Sequence, residues 1–215
     1  MSAAALSLLI LPLAQSALIE NARDEQVRLE TCIENAETDA LVAYEDSLAW
    51  LSNGNRPKAR YCNAVALIAL EEYEEGAARL EALATAPDAV NLEDRALYMA
   101  QAGNAWLTAN YPDAAIRALD DAIKMRSSDP ELYKDRGSAH IALEQWLQAI
   151  DDLNAALDLV PGDAETLAMR ARANLGFEQL RDAQSDIEAA IVIDPSNIDF
   201  LVLRGDIREA IRLAE

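Results

Sequence analysis

Few side chains in this sequence could do chemistry. His140 is the single histidine. A general base needs a proton donor within reach and a group that orients the ring. No Ser-His-Asp order, HExxH motif or Gly-rich phosphate loop accompanies it. Asp120-Asp121 and Asp151-Asp152 are adjacent carboxylates. Neighbours on a helix point about 100° apart, so neither pair converges on one metal ion or one scissile bond. Cys32 and Cys62, the only cysteines, lack the CxxC or Cys/His spacing of a zinc site. With no cofactor motif either, the sequence points away from an enzyme and from a metal protein. Its charged residues pair instead at a fixed spacing. Arg136 and Asp152 lie sixteen residues apart, as do Arg170 and Asp186, and each pair is expected to bridge two helices of one structural unit.

The elements that would position these residues follow from an internal period. Alanine and leucine dominate, glycine and proline number seven each, and apolar residues make up 52% of 215. That balance favours helices and a continuous core over sheet or disorder. Three ungapped segments begin at Ala96, Pro130 and Ala164, 34 residues apart. A small residue recurs as Gly103, Gly137 and Ala171, and an alanine twelve residues later as Ala115, Ala149 and Ala183. An aliphatic residue follows at Leu119, Leu153 and Ile187, then Ala122, Ala156 and Ala190. Small residues let two antiparallel helices approach, and the aliphatic residue fills the space between them. Pro161 and Pro195 close the second and third units, because proline cannot continue a helix. His140 falls where Trp106 stands one period earlier, a packing position.

This pattern resembles the tetratricopeptide repeat family over residues 96–197. The resemblance implies an all-α, right-handed superhelical stack of antiparallel helix pairs. The repeats would span 96–129, 130–163 and 164–197, with a capping helix at 198–215. Residues 17–95 would hold further helices, including a degenerate unit at 57–86. In the cap, Arg204-Gly205 repeats the register of Arg136-Gly137. The family binds protein segments in a concave groove lined by the first helix of each pair. Here that groove would present Asn104, Leu107, Lys134, Ser138, Ile141, Arg172 and Leu175, with Lys134 and Arg172 available to an acidic group on the partner. The family's chaperone-tail binders carry a two-carboxylate clamp of Lys and Asn residues. Only Asn104 matches that clamp, while Ala100, Asp135 and Glu165 contradict it. The expected function is a non-catalytic protein-interaction scaffold, with an accessory subunit of an envelope enzyme or assembly complex as the alternative.

The net charge is −20, divided evenly between residues 1–95 and 96–215. A surface of that sign repels nucleic-acid phosphates and anionic lipid headgroups. Nothing before Glu20 is charged, and the apolar run with Ala14 and Ser16 reads as an export signal at residues 1–16, cleaved before Ala17. The run is short and broken by Pro12, so no stable membrane insertion is expected once the signal is removed. Export would place the chain in the periplasm or outside the cell, where Cys32 and Cys62 would form a disulfide closing a loop of roughly 30 residues, worth about 3–4 kcal/mol. The alternative is a cytoplasmic protein with two buried thiols packed as small apolar groups. The export reading is similar to short periplasmic repeat proteins with a cysteine pair near the N-terminus.

Overall fold

The computed structural model describes residues 7–88 and 91–215, with side chains from Glu20 onward. The described residues form eleven α-helices and no strand. They divide into two compact units, residues 1–79 and 80–215, with the boundary inside one helix.

The first unit contains α1 (Ser7–Thr38), α2 (Ala40–Ser52), α3 (Pro57–Ala69) and the start of α4 (Tyr73–Thr85). Residues 1–6 of the segment read as an export signal lie outside the described residues; from Ser7 onward that segment is helical and continuous with the rest of α1. Asp39 separates α1 from α2 and caps α2 by accepting from the Val42 amide. Pro57 sits in the first turn of α3, where its missing N–H costs nothing. The helices α1, α2 and α3 pack on one another around Ala43, Trp50, Ala59 and Ala66, all buried. A disulfide joins Cys32 of α1 to Cys62 of α3, with Cα atoms 5.9 Å apart. The Arg28 guanidinium lies 4.7 Å from the centre of the Trp50 ring, a cation–π contact. α4 approaches α3 closely because residue 76 is glycine: a Cβ there would come within 2.6 Å of the Ile68 side chain.

The second unit holds the end of α4, then three helix pairs and a last helix. They are α5 (Leu92–Thr108) with α6 (Pro112–Met125), α7 (Pro130–Ala142) with α8 (Trp146–Leu159), α9 (Ala164–Gly176) with α10 (Leu180–Ile193), then α11 (Ile198–Ala214). Each helix packs on the next in sequence. The periodic positions form the core: Ala115, Leu119, Ala122, Ala149, Leu153, Ala183, Ile187 and Ala190 are all at most 0% exposed, and Ala156 is 3%. A Cβ at Gly103 would lie 2.6 Å from Leu119, so glycine sets how closely α5 and α6 approach. Asp129, Asp163 and Asn197, again 34 apart, cap α7, α9 and α11 through their side chains. Within each pair the turn passes through one left-handed residue, Asn110, Glu144 or Glu178, with φ of 65°, 56° and 62°.

Candidate functional site

The charged pairs read from sequence are formed, and each is one half of a larger clasp. Arg136 on α7 donates from Nε and Nη2 to the two oxygens of Asp152 on α8, at 2.9 and 2.5 Å. Its Nη1 reaches back to Asp120 on α6 at 2.5 Å. The two carboxylates hold the guanidinium charged more firmly than an ordinary arginine, outweighing partial burial. Arg170 on α9 repeats this geometry. It grips Asp186 on α10 at 2.9 and 2.7 Å and Asn154 on α8 at 2.7 Å. Asn174 stands where the first repeat has Trp106, and its amide donates to Asp186 at 3.1 Å. His140 occupies the same register; its Nε2 is 3.6 Å from Asp152 and its Nδ1 2.7 Å from the Gln145 side chain. A carboxylate and an amide are its polar neighbours, and the ring is wedged between α7 and α8. Among the described residues no group of three or more His, Cys, Asp or Glu side chains is arranged to hold a metal ion.

A second seam links the first helices of successive pairs. Residues 31 apart meet across it. Asn104 on α5 donates to Asp135 on α7 at 2.9 Å, and Lys134 donates to Glu165 on α9 at 3.1 Å. Lys134 also contacts Glu131 at 2.7 Å. Burial works against its charge, but the hydrogen bonds to Glu131 and Glu165 prevail and raise its pKa. Lys134 is therefore committed within the protein rather than offered to a partner. Asn104 is likewise occupied. Ser138, Ile141, Leu107 and Leu175 are half-buried along the same face.

Arg172 differs. Its counterpart 31 residues on is Leu203, so the seam supplies no carboxylate there. Among the described residues Arg172 has no ion-pair or hydrogen-bond partner, and it is exposed. It stands at the rim of a cleft of about 490 Å³ between α9 and α11. The same cleft is lined by the apolar Ala168, Met169, Phe200 and Leu203 and by the acidic Asp163, Glu165, Asp194 and Asp199. Seven residues separate Glu165 from Arg172, about 10 Å along the helix. The cleft thus combines one arginine, apolar side chains and four carboxylates, with Arg172 and Glu165 set two turns apart on α9. Asp163 is held ionised below the usual carboxylate range: burial opposes this, but the hydroxyl and amide of Thr166 outweigh it. The sequence singled out Arg172 through its register. It gave no sign that Met169, Phe200 and Leu203 would share a cleft with it, because that requires the 31-residue seam.

Comparison with known proteins finds likeness over part of the chain. The tetratricopeptide repeat family profile matches residues 102–174. Similar solved structures include the first TPR of Spaghetti (RPAP3) bound to the HSP90 peptide SRMEEVD, at 23% identity and a TM-score of 0.54, covering 56% of this chain and 95% of that one. The second TPR domain of human RPAP3, in complex with an HSP70 peptide, is similar at 19% identity and a TM-score of 0.53, covering 55% and 98%. MamA from Desulfovibrio magneticus RS-1 is similar over a longer stretch, at 18% identity and a TM-score of 0.62, covering 74% and 93%. No curated protein matches the chain.

Proposed function

We propose that this chain, whose residues 102–174 match the tetratricopeptide repeat profile, is a non-catalytic scaffold that takes a segment of a partner protein along the first-helix face, with the α9–α11 cleft as the anchoring point. The observation that carries this reading is the unpartnered Arg172 in a cleft lined by apolar side chains. In a chain of 38 acidic and 18 basic residues, an arginine with no ion-pair partner is available to a carboxylate brought from outside. Ala168, Met169, Phe200 and Leu203 offer an apolar contact beside it. Two similar structures hold chaperone peptides, which supports peptide binding as the mode. The partner here belongs to a different class, since Asp135 and Glu165 occupy positions that a two-carboxylate clamp leaves for basic or amide groups.

The location we propose is the periplasm or the cell exterior. The buried Cys32–Cys62 disulfide supports it, because such bonds persist in oxidising compartments. Membrane insertion is not part of the reading: among the described residues no helix is long and apolar enough to cross a membrane.

A photo-crosslinking residue at Met169, in the protein expressed in its native host, tests the site. Capture of one or two exported proteins, abolished by Arg172→Glu, is the expected result. Capture that is indifferent to Arg172→Glu sinks the cleft; partners drawn only from the cytosol sink the location.

A further inference from the structure

One register position on the first helix of each pair is filled differently in the three repeats. Its occupants are Trp106, His140 and Asn174, 34 residues apart. The two rings each reach the residue five positions on. The Trp106 ring meets the Tyr111 ring edge-on, with centroids 5.7 Å apart, and His140 Nδ1 lies 2.7 Å from the Gln145 side chain. Asn174 is too short to do the same. Its amide nitrogen takes the role of His140 Nε2 and donates to Asp186, and nothing of the side chain is left to reach Gln179. A cavity of about 340 Å³ lies here, lined by Asn174, Gln179 and Asp186, the counterparts of His140, Gln145 and Asp152. Ile150, Asp182 and Ser185 line it too. Asn174 is only 3% exposed. Among the described residues its carbonyl oxygen accepts no hydrogen bond, and the side chains of Gln179, Asp182 and Ser185 make none. Arg170, also in the lining, is already engaged by Asp186 and Asn154.

We propose that this cavity is a binding site for a small ligand with a planar cationic head of the guanidinium class, held where the earlier repeats hold a ring. Shape comes from the chain's own precedent: the same register takes an indole and an imidazole, both flat, between a first and a second helix. Polarity comes from the free groups. The Asn174 carbonyl, the Asp182 carboxylate and the Gln179 side-chain carbonyl are acceptors, so the ligand must donate, and a planar head donates in several directions within its plane. Charge comes from the lining, where two carboxylates stand against one arginine that is already paired. A cation therefore gains there and an anion loses. Asn174 is the residue that opens the site, because a ring in its place would occupy the same space. The cavity lies among α8, α9 and α10 and shares no lining residue with the α9–α11 cleft, so the two sites respond to different substitutions.

The probe is methylguanidinium, titrated into the full chain while the side-chain amide resonances of Asn174, Gln179 and Gln145 are followed by NMR. Saturable shifts are expected at Asn174 and Gln179 and none at Gln145, whose slot His140 fills. Urea, planar but neutral, and methylammonium, charged but not planar, should each bind about tenfold more weakly or worse. Asn174→His repeats a side chain that this register already accepts, so the fold should persist while the Gln179 shift is lost; Gln179→Ala, at an exposed position, should weaken binding read at Asn174. Arg172→Glu should leave the affinity within about twofold. Shifts that climb without saturating and appear equally at Gln145 overturn the proposal, since the acidic surface would then be gathering counterions. Unchanged affinity in Asn174→His overturns the site, and equal binding of urea or methylammonium overturns the ligand class.

Discussion

The two units use one spatial device with different chemistry. In the first unit, Ser47 on α2, Asn63 on α3 and Arg79 on α4 stand sixteen residues apart, and Asn63 joins the other two through its amide. Asn63 is 1% exposed, and Ser47 is fully buried. In the second unit the central residue is an arginine and its partners are mainly carboxylates. A neutral centre can be buried completely, because an amide needs only hydrogen bonds. A guanidinium keeps an edge near solvent: the side chains of Arg136 and Arg170 are 21% and 24% exposed. The first unit then adds a covalent link that the second lacks. Geometry at this spacing is therefore set by the backbone, while the chemistry of the centre decides how dry the helix junction can be.

The largest way to break this comparison is Arg136→Ala. It strands Asp152, which is 5% exposed, and frees Asp120. A loss of about 3–5 kcal/mol is expected from leaving a buried charge uncompensated, read from urea unfolding. If the loss stays below 1 kcal/mol, water reaches Asp152 and the clasp is ornamental. Next comes Cys32→Ala with Cys62→Ala, expected to cost about 2–4 kcal/mol. Hydrogen exchange should speed up in α1 to α3 and stay unchanged in α7 to α10; uniform acceleration would show that the two units unfold together. Asn63→Ala should cost about 1–3 kcal/mol by leaving Ser47 and Arg79 short of a partner in a buried place. A cost well above that of Arg136→Ala would reverse the ranking of neutral and charged centres.

Asp135→Asn gives the smallest effect and a test of sign. Burial pushes the Asp135 carboxyl above the usual range, and the hydrogen bond from Asn104 offsets this only in part. A folded pKa above the unfolded one means the protonated form favours folding, and that contribution is lost as pH rises through the folded value. The variant should match the parent at about pH 3 and exceed it by a few tenths of a kcal/mol at neutral pH. A deficit at neutral pH would mean the ionised carboxylate is stabilising after all.

Much of the fold was legible because identity and spacing coincided. Gly103, Gly137, Leu119 and Leu153 repeat as the same residue types, as do Arg136–Asp152 and Arg170–Asp186. The backward arms escaped notice because Asp120, Asn154 and Glu188 share a register and differ in type. The Ser47–Asn63–Arg79 triplet is wholly different chemistry on the same spacing. The start of α5 also differs from the repeat start at Ala96: Asn91 accepts from the Asp94 amide and begins the helix at Leu92, because a cap is a local hydrogen-bond choice that periodic packing positions do not report. At the candidate site, Lys134 and Arg172 look alike in sequence. Only the residues 31 positions ahead separate them, Glu165 for one and Leu203 for the other.

The clasp makes the repeats interchangeable cassettes. Removing residues 130–163 in one block would bring Arg170 into the place of Arg136, facing Asp120 behind and keeping Asp186 ahead. Leu180 would follow its own left-handed turn at Glu178, and Ala164 would take the cap at Asp129, which α7 now uses. No carboxylate would lose its guanidinium and no small residue its aliphatic mate. The chain could be shortened by a whole cassette, or lengthened by one, with every clasp closing on chemistry it already carries, although shortening would cost the seam its Asn104–Asp135 and Lys134–Glu165 contacts. A cut of any other length would leave the arginines facing the wrong residues.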